Sequence, residues 1–375
     1  MIDKQRNIID FTLAALLRRK GKNAALLVSY TLIVALLASV MFLTHALRRE
    51  ADFVLQDAPE MVVQKMVAGR YDLIPLAYQD KIATIMGVRT VEGRLWGYYY
   101  DAGVGANYTV MTPTDTPIVP GTIVIGEGIA RTRKIAAGDL LPLRGADGQT
   151  NLYQVERLLS SESSLVSADL LLMAQDDFRT LFHIPSHLVT DLVLTVGNPS
   201  EMATIVRKIT EALPDTRSIV KADVARTYDA LFSWRSGIMV VILSSIFLSF
   251  LIFAWDKASG LSAEERHEIG ILKALGWDTS DVLLMKFWEG MAISLSSLMT
   301  GVLLAYVHVF FTSSALFQPV LKGWSVLYPD FRLTPFVSLY QIVTLFFLTV
   351  VPYTVATIIP AWRAATVDPD SVMRA

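Results

Sequence analysis

Long charge-free apolar runs and short interrupted ones divide this chain into two kinds of segment. From Ala24 to Leu43 no charged residue occurs, and about 20 apolar residues at a rise of about 1.5 Å each cross a hydrocarbon core of roughly 30 Å. Further runs at Gly237–Trp255, Trp288–Phe311 and Leu339–Ile359 bring the predicted number of transmembrane helices to four. Glu289 lies near the start of the third and His308 near its end, positions that favour structural roles at the two interfaces over a substrate or proton site. Pro352 is expected to kink the fourth. A secretory signal would carry an apolar region of only about 7–15 residues before a small-residue cleavage site, so the first run reads as an uncleaved anchor. Ahead of it, Ile8, Ile9, Phe11, Leu13, Leu16 and Leu17 alternate with Asp10, Thr12 and two arginines. That pattern suits an amphipathic helix in the inner interface, with a frayed start of the first span as the alternative.

Between the first two spans the pattern shortens. Glu60–Lys65, Thr122–Ile125 and Leu192–Val196 read as strands, and Gly145–Gly148 as a hairpin turn. Helical spacing returns at Tyr78–Met86, Asp176–Phe182 and Ser200–Leu213, the last opened by Ser200 and stopped before Pro214. The expectation is an α+β domain of its own over residues 58–222. No glycine or proline interrupts Thr44–Gln56, and Asp223–Ser233 is also compatible with helix. A helix from Ala24 to Gln56 would be about 50 Å long and leave roughly 20 Å beyond the bilayer core as a stalk.

Composition agrees: 53% of the 375 residues are hydrophobic and 18% charged, against about 25% charged in ordinary soluble domains. The mean hydropathy is +0.45. A net charge of -2 gives no basic character that would suit nucleic acid, and the absence of cysteine excludes disulfides, thiolate metal sites and a cysteine nucleophile. Orientation follows from short flanks. Arg18, Arg19, Lys20 and Lys22 precede the first span, while Lys257, Arg266, Lys273 and Lys286 lie between the second and third, which places both termini in the cytoplasm. The expected order is then an interfacial helix (1–23), the first span and stalk (24–47, continuing to about 57), and an extracytoplasmic domain (58–222). The second stalk and span (223–255), a cytoplasmic loop (256–282), the third span (283–311), an outer loop (312–338), the fourth span (339–360) and a cytoplasmic tail (361–375) follow.

Leu261–Gly276 carries the most information. Ser262 and Glu265 form a capping box, Lys273 suits the last turn and Gly276 stops the helix, which predicts a short helix over 262–276. Ile269, Leu272 and Leu275 share a face, with Ile271 beside it, and Asp278 is expected to cap the next helix. An amphipathic loop resting on lipid is the bland alternative to a protein contact. The stretch EERHEIGILKALGW (264–277) resembles the signature of the FtsX/MacB family of ABC transporter permeases. PAWRAATVDPDSVMRA (360–375) and RRKGKNAALL (18–27) look like the family's C-terminal and N-terminal motifs. Within the outside domain, residues 121–155 are similar, more weakly, to the MacB-like periplasmic core domain.

The resemblance implies a four-span inner-membrane permease with a periplasmic or extracellular α+β domain, of the MacB, LolC and LolE type. It would pair with a second permease as homodimer or heterodimer, with two copies of a separate ATPase that binds ATP and Mg, and with membrane lipids and a periplasmic adaptor or membrane-fusion protein. It also implies that Glu265, Glu268, Ile269, Gly270, Leu272, Lys273, Ala274, Leu275 and Gly276 form a coupling helix seated on that ATPase. Lipoprotein, lipid or hydrophobic cargo is implied by the family alone. The alternatives are a signalling scaffold that activates a periplasmic cell-wall hydrolase, and a membrane sensor working with a kinase.

No GxxxxGK[ST] occurs, so this chain is not expected to bind ATP, and no cofactor, metal or catalytic set is expected. His183 and His187 flank Pro185, which disfavours the helix that would align them on a metal. Trp96, Tyr98, Tyr99 and Tyr100 suit strand packing, with a hydrophobic substrate surface as the alternative. Ser160–Ser164 reads as a loop. Leu272→Asp is expected to abolish coupling to the ATPase while membrane insertion persists; full stimulation of the ATPase by that variant would count against it.

Overall fold

The computed structural model describes residues 2–56, 58–114, 116–159, 167–227, 244, 263–323, 325–328 and 333–366. It divides into two compact units. The first comprises residues 1–47, 233–315 and 333–375, and the second residues 48–232 and 316–332. The predicted second span, Gly237–Trp255, the capping residue Ser262, the loop at 160–164 and the tail beyond Thr366 lie outside the described residues.

The first unit is helical. Helix α1 is Ile2–Arg18 and α2 is Lys20–Gln56, 37 residues without a break. Among the described residues three helices are long and apolar enough to cross a membrane, at Lys20–Glu50, Thr279–Phe311 and Leu339–Arg363. Small residues let them approach closely, as membrane helices require in the absence of a hydrophobic drive between them. A Cβ on Gly301 would stand 2.8 Å from Val34 of α2, and one on Gly290 2.6 Å from Thr357 of the last helix. Polar side chains add cross-links: Thr31 to Thr300 at 3.1 Å and His308 Nδ1 to Ser39 Oγ at 3.1 Å. The His308 contact gives that intramembrane histidine a structural partner near the end of its helix.

The second unit is α+β. Strand β1 (Met61–Val67) is flanked by β12 (Asp191–Val196) and β13 (Thr216–Val220), with β4 (Val88–Arg94) beyond β12 and β2 (Arg70–Asp72) also on β1; all pair antiparallel. A second, six-stranded sheet has the order β5 (Trp96–Asp101), β6 (Ala106–Met111), β10 (Leu170–Met173), β7 (Thr122–Gly126), β9 (Thr150–Leu159) and β8 (Leu140–Arg144). The last two form the expected hairpin, its turn closed by Gly145 N–H to Gln149 O at 2.7 Å, with Gly148 at φ +84°. Strands β3 (Ile74–Pro75) and β11 (Leu188–Val189) pair separately.

The strands alternate because each sheet buries one face: β6 reads buried–exposed–buried from Ala106, and β8 places Leu141 and Leu143 inward. Helices α3 (Tyr78–Ala83), α4 (Glu127–Arg133), α5 (Gln175–Phe182) and α6 (Met202–Ala212) contribute Ile82, Ile129, Phe178, Ile205 and Ile209 to the same core, and a one-turn helix α9 (Gln318–Lys322) belongs to this unit as well. Helix α6 is entered through a 3-10 turn, Pro199–Glu201, and its cap is Asn198, whose side chain accepts from Ser200 N–H at 3.1 Å. The expected cap at Ser200 is therefore displaced by two residues. His183 ends α5 in the left-handed region, φ +54°.

Two buried carboxylates tie strands together. Asp191 is fully buried and takes both a bidentate pair from Arg94, at 2.9 and 2.8 Å, and a bond from Trp96 Nε1 at 2.7 Å. Asp101 accepts from Tyr108 Oη at 2.5 Å and from Arg133 Nε at 2.7 Å. Burial first, and then the Asp101 bond, pushes the Tyr108 phenol above its usual range. Asp191→Ala leaves Arg94 and the Trp96 N–H without their acceptor, and breaking such a pair costs about 3–5 kcal/mol. Thermal unfolding of the purified variant should show that loss; an unchanged midpoint would contradict it.

Candidate functional site

The stretch at the centre of the sequence argument is a helix, α7 (Ala263–Ala274), followed after a tight turn by α8 (Thr279–Tyr306). Gly276 sits at φ +92°, which an L side chain rarely adopts, and Trp277 N–H returns to Leu272 O at 3.0 Å. Asp278 stands at the cap position of α8, yet its side chain makes no capping bond; its carbonyl accepts from Asp281 and Val282 instead. Lys273 donates to Thr279 Oγ1 at 2.9 Å, bracing the turn.

Helix α7 has two opposed faces. Ile269 packs with Val282 of α8 and Ala365 of α10 (Leu339–Thr366), and Leu272 packs with Ile8 of α1 and Met285 of α8. Phe11 and Trp277 border these clusters, their ring centroids 5.3 Å apart. On the other face His267, Ile271, Ala274, Leu275 and Gly276 are exposed, Leu275 at 74%. Residues 265, 269 and 272 fall within one helical stripe and 267, 271 and 275 within the opposite one, by the period of about 3.6 residues per turn.

The buried stripe carries charge. Glu265, 6% exposed, lies 3.4 Å from both Arg19 Nη1 and Lys22 Nζ. Glu268 receives Arg19 Nη2 at 2.9 Å and stands 3.7 Å from Arg18 Nη2. Behind them Lys286, itself buried, pairs with Glu289 at 2.5 Å. A cavity of ≈20 Å³ lined by Arg19, Asn23, Glu268, Lys286 and Glu289 lies among these groups, of a size that admits a single water. At the start of α1, Lys4 pairs with Asp281 at 2.8 Å, and the hydrogen bond it donates to that carboxylate holds the Lys4 ammonium above its usual range.

Of the nine residues singled out from the sequence, the structure brings Glu265, Glu268, Ile269, Gly270 and Leu272 toward the rest of the first unit, and leaves Ala274, Leu275 and Gly276 at its surface. Lys273 is half-buried in the turn. The outward His267–Ile271 stripe and the basic partners Arg19 and Lys22 were missed. The available signal was the pairing of two glutamates three residues apart with a basic run at the foot of an apolar span.

In the second unit the four aromatics separate by strand alternation. Tyr99 turns inward and stacks on the buried Tyr108, centroids 6.1 Å apart, whereas Tyr98, edge-on to Trp96, and Tyr100 are exposed.

Long apolar helices joined to an α+β unit that falls between the first and second predicted spans define a multi-span membrane protein carrying a folded domain. Residues 236–369, which include α7, α8 and α10, match the FtsX-like permease C-terminal family model. No curated protein matches the chain. Among solved structures, the periplasmic region of MacB from Actinobacillus actinomycetemcomitans aligns at 7% identity and a TM-score of 0.31, covering 45% of this chain and 92% of that one. The extracellular domain of the noncanonic ABC-type transporter YknZ from Gram-positive bacteria aligns at 9% and 0.29, covering 42% and 98%.

The two faces of α7 predict opposite responses to truncation. Leu272→Ala should cost about 2–5 kcal/mol as a buried large-to-small change, and Leu275→Ala should cost little. Hydrogen exchange of the α7 amides reads this directly; equal protection in the two variants would contradict the assignment of faces.

Proposed function

We propose that the chain is the permease subunit of an ABC transporter, and that α7 is its coupling helix, received by a separate cytoplasmic ATPase. The observation that carries this reading is the division of α7 into an inward stripe anchored on α1, α8 and α10 and an outward stripe of His267, Ile271 and Leu275. A helix held on one side by the membrane helices and free on the other can receive a push without unfolding. The nine residues act in two groups: Leu275, Ala274 and Gly276 meet the ATPase, while Glu265, Glu268, Ile269, Gly270, Leu272 and Lys273 hold the helix for it.

In this reading two ATPase copies and a second permease complete the complex in the bacterial inner membrane, both termini are cytoplasmic, and the second unit works outside with a periplasmic adaptor. ATP-driven closure of the ATPase moves α7, and α2 carries the movement outward; the unbroken run from Lys20 to Gln56 supports that role. The cargo is an amphipathic lipid, lipoprotein or hydrophobic compound. The outward Tyr98 and Tyr100, which add an exposed aromatic strip to the second unit, support a surface for it.

Leu275→Asp tests this. As an exposed residue it should leave folding unchanged, yet burial of a charge at the interface centre should weaken ATPase association by about 2 kcal/mol or more, roughly 30-fold. Co-purification of the ATPase with the detergent-solubilised permease, and ATP turnover of the complex, provide the readouts. Undiminished association in Leu275→Asp would sink the assignment of the outward face.

A further inference from the structure

Helix α7 and the foot of α2 are distant in sequence; the residues that meet lie more than 240 positions apart. What joins them is a cluster of long charged side chains, and Arg19 is at its centre. That residue occupies the single non-helical position between α1 and α2, with its N–H to Ala15 O at 3.4 Å and its carbonyl taking Asn23 N–H at 3.1 Å. Asn23 Nδ2 closes the same elbow by donating to Leu16 O at 2.9 Å.

From that elbow one guanidinium reaches two carboxylates a helical turn apart, Glu265 at 3.4 Å and Glu268 at 2.9 Å. Glu265 is 7% exposed at its side chain and Arg19 29%, so the pair is shielded from the salt screening that weakens surface pairs. A planar fork gripping two acceptors also fixes direction as well as distance, which a lysine cannot do equally. Lys22 and Arg18 add a second cation to each carboxylate. Removing Arg19 would take from the buried Glu265 one of the cations that compensate its charge.

We propose that Arg19 is a positioning residue that latches the coupling helix to the foot of the first span, so that movement of α7 is delivered to α2 through the Arg19–Glu265–Glu268 fork. This rests on the reading of α7 as the coupling helix. The apolar seats at Ile269 and Leu272 lead to α1, α8 and α10; the fork, with Lys22, ties α7 directly to the foot of α2. Loss of the latch therefore weakens the delivery of movement to α2 and leaves the indirect route through α8, which packs on α2 at Thr300 and Gly301.

The chain has no cysteine, so spin labels can be placed at will. Leu17→Cys and Met86→Cys, both well exposed, put one label at the inner foot and one in the second unit. The full-length permease would be reconstituted with its ATPase in nanodiscs, and the ATP-driven change in label separation read together with ATP turnover. Arg19→Glu is expected to reduce the change in separation out of proportion to turnover. Arg19→Lys should retain part of it, and Arg19→Glu combined with Glu268→Arg should recover it. A full ATP-driven change in Arg19→Glu overturns the latch. Loss in Arg19→Lys together with no recovery in the charge-swapped pair also overturns it, because that pattern marks a merely structural arginine. If the unsubstituted permease binds no ATPase, the coupling reading itself falls and the latch falls with it; binding with an unaffected Arg19→Glu removes the latch alone.

Discussion

A carboxylate taken out of water must be matched by cations, because an uncompensated buried charge costs several kcal/mol. Glu265 and Glu268 impose that requirement on the first unit. Their partners come from the turn between α1 and α2, so meeting it fixes where the N-terminal helix ends and where α2 begins relative to α7. Ile8 and Phe11 of α1 then close over Leu272 and Trp277. Apolar packing gives the assembly its area, but the charge pairs specify which helix meets which.

The second unit uses the same device for a different end. Asp191 and Asp101 are buried among strands and satisfied by an arginine with an aromatic donor, Trp96 in one case and Tyr108 in the other. Each carboxylate joins residues from separate strands or a strand and a helix, so register errors would leave a charge unpaired. Both units thus combine unspecific apolar burial with a few polar contacts that admit one arrangement.

Much of this was legible in the residues. Run length located the three apolar helices found among the described residues, and strand alternation located β1, β7 and β12 within a residue or two. Glycine at 276 marked the end of α7 because few other residues take its φ. What failed was the direction of α7. Ile269, Leu272 and Leu275 read as one ridge from their spacing, yet Ile269 and Leu272 face the chain's own helices while Leu275 is exposed on the opposite stripe, and periodicity alone cannot say where a ridge ends or what it faces. The answer depended on Ile8 and Met285, far away in sequence. Likewise Arg18 to Lys22 were informative as an orientation signal, and their individual partners could be known only from folding.

The stretch from Leu316 to Arg332, expected as a plain connection between two spans, belongs to the second unit. Leu327 joins that unit's buried cluster, and the Tyr328 ring lies between Lys322, 3.9 Å from its centroid, and Arg131 of α4, 4.5 Å from it. The core is therefore completed by a residue synthesised long after β13. A ribosome that has delivered residues 48–232 has made a domain still open at one side, and closure waits until α8 has been made and the turn that follows it released.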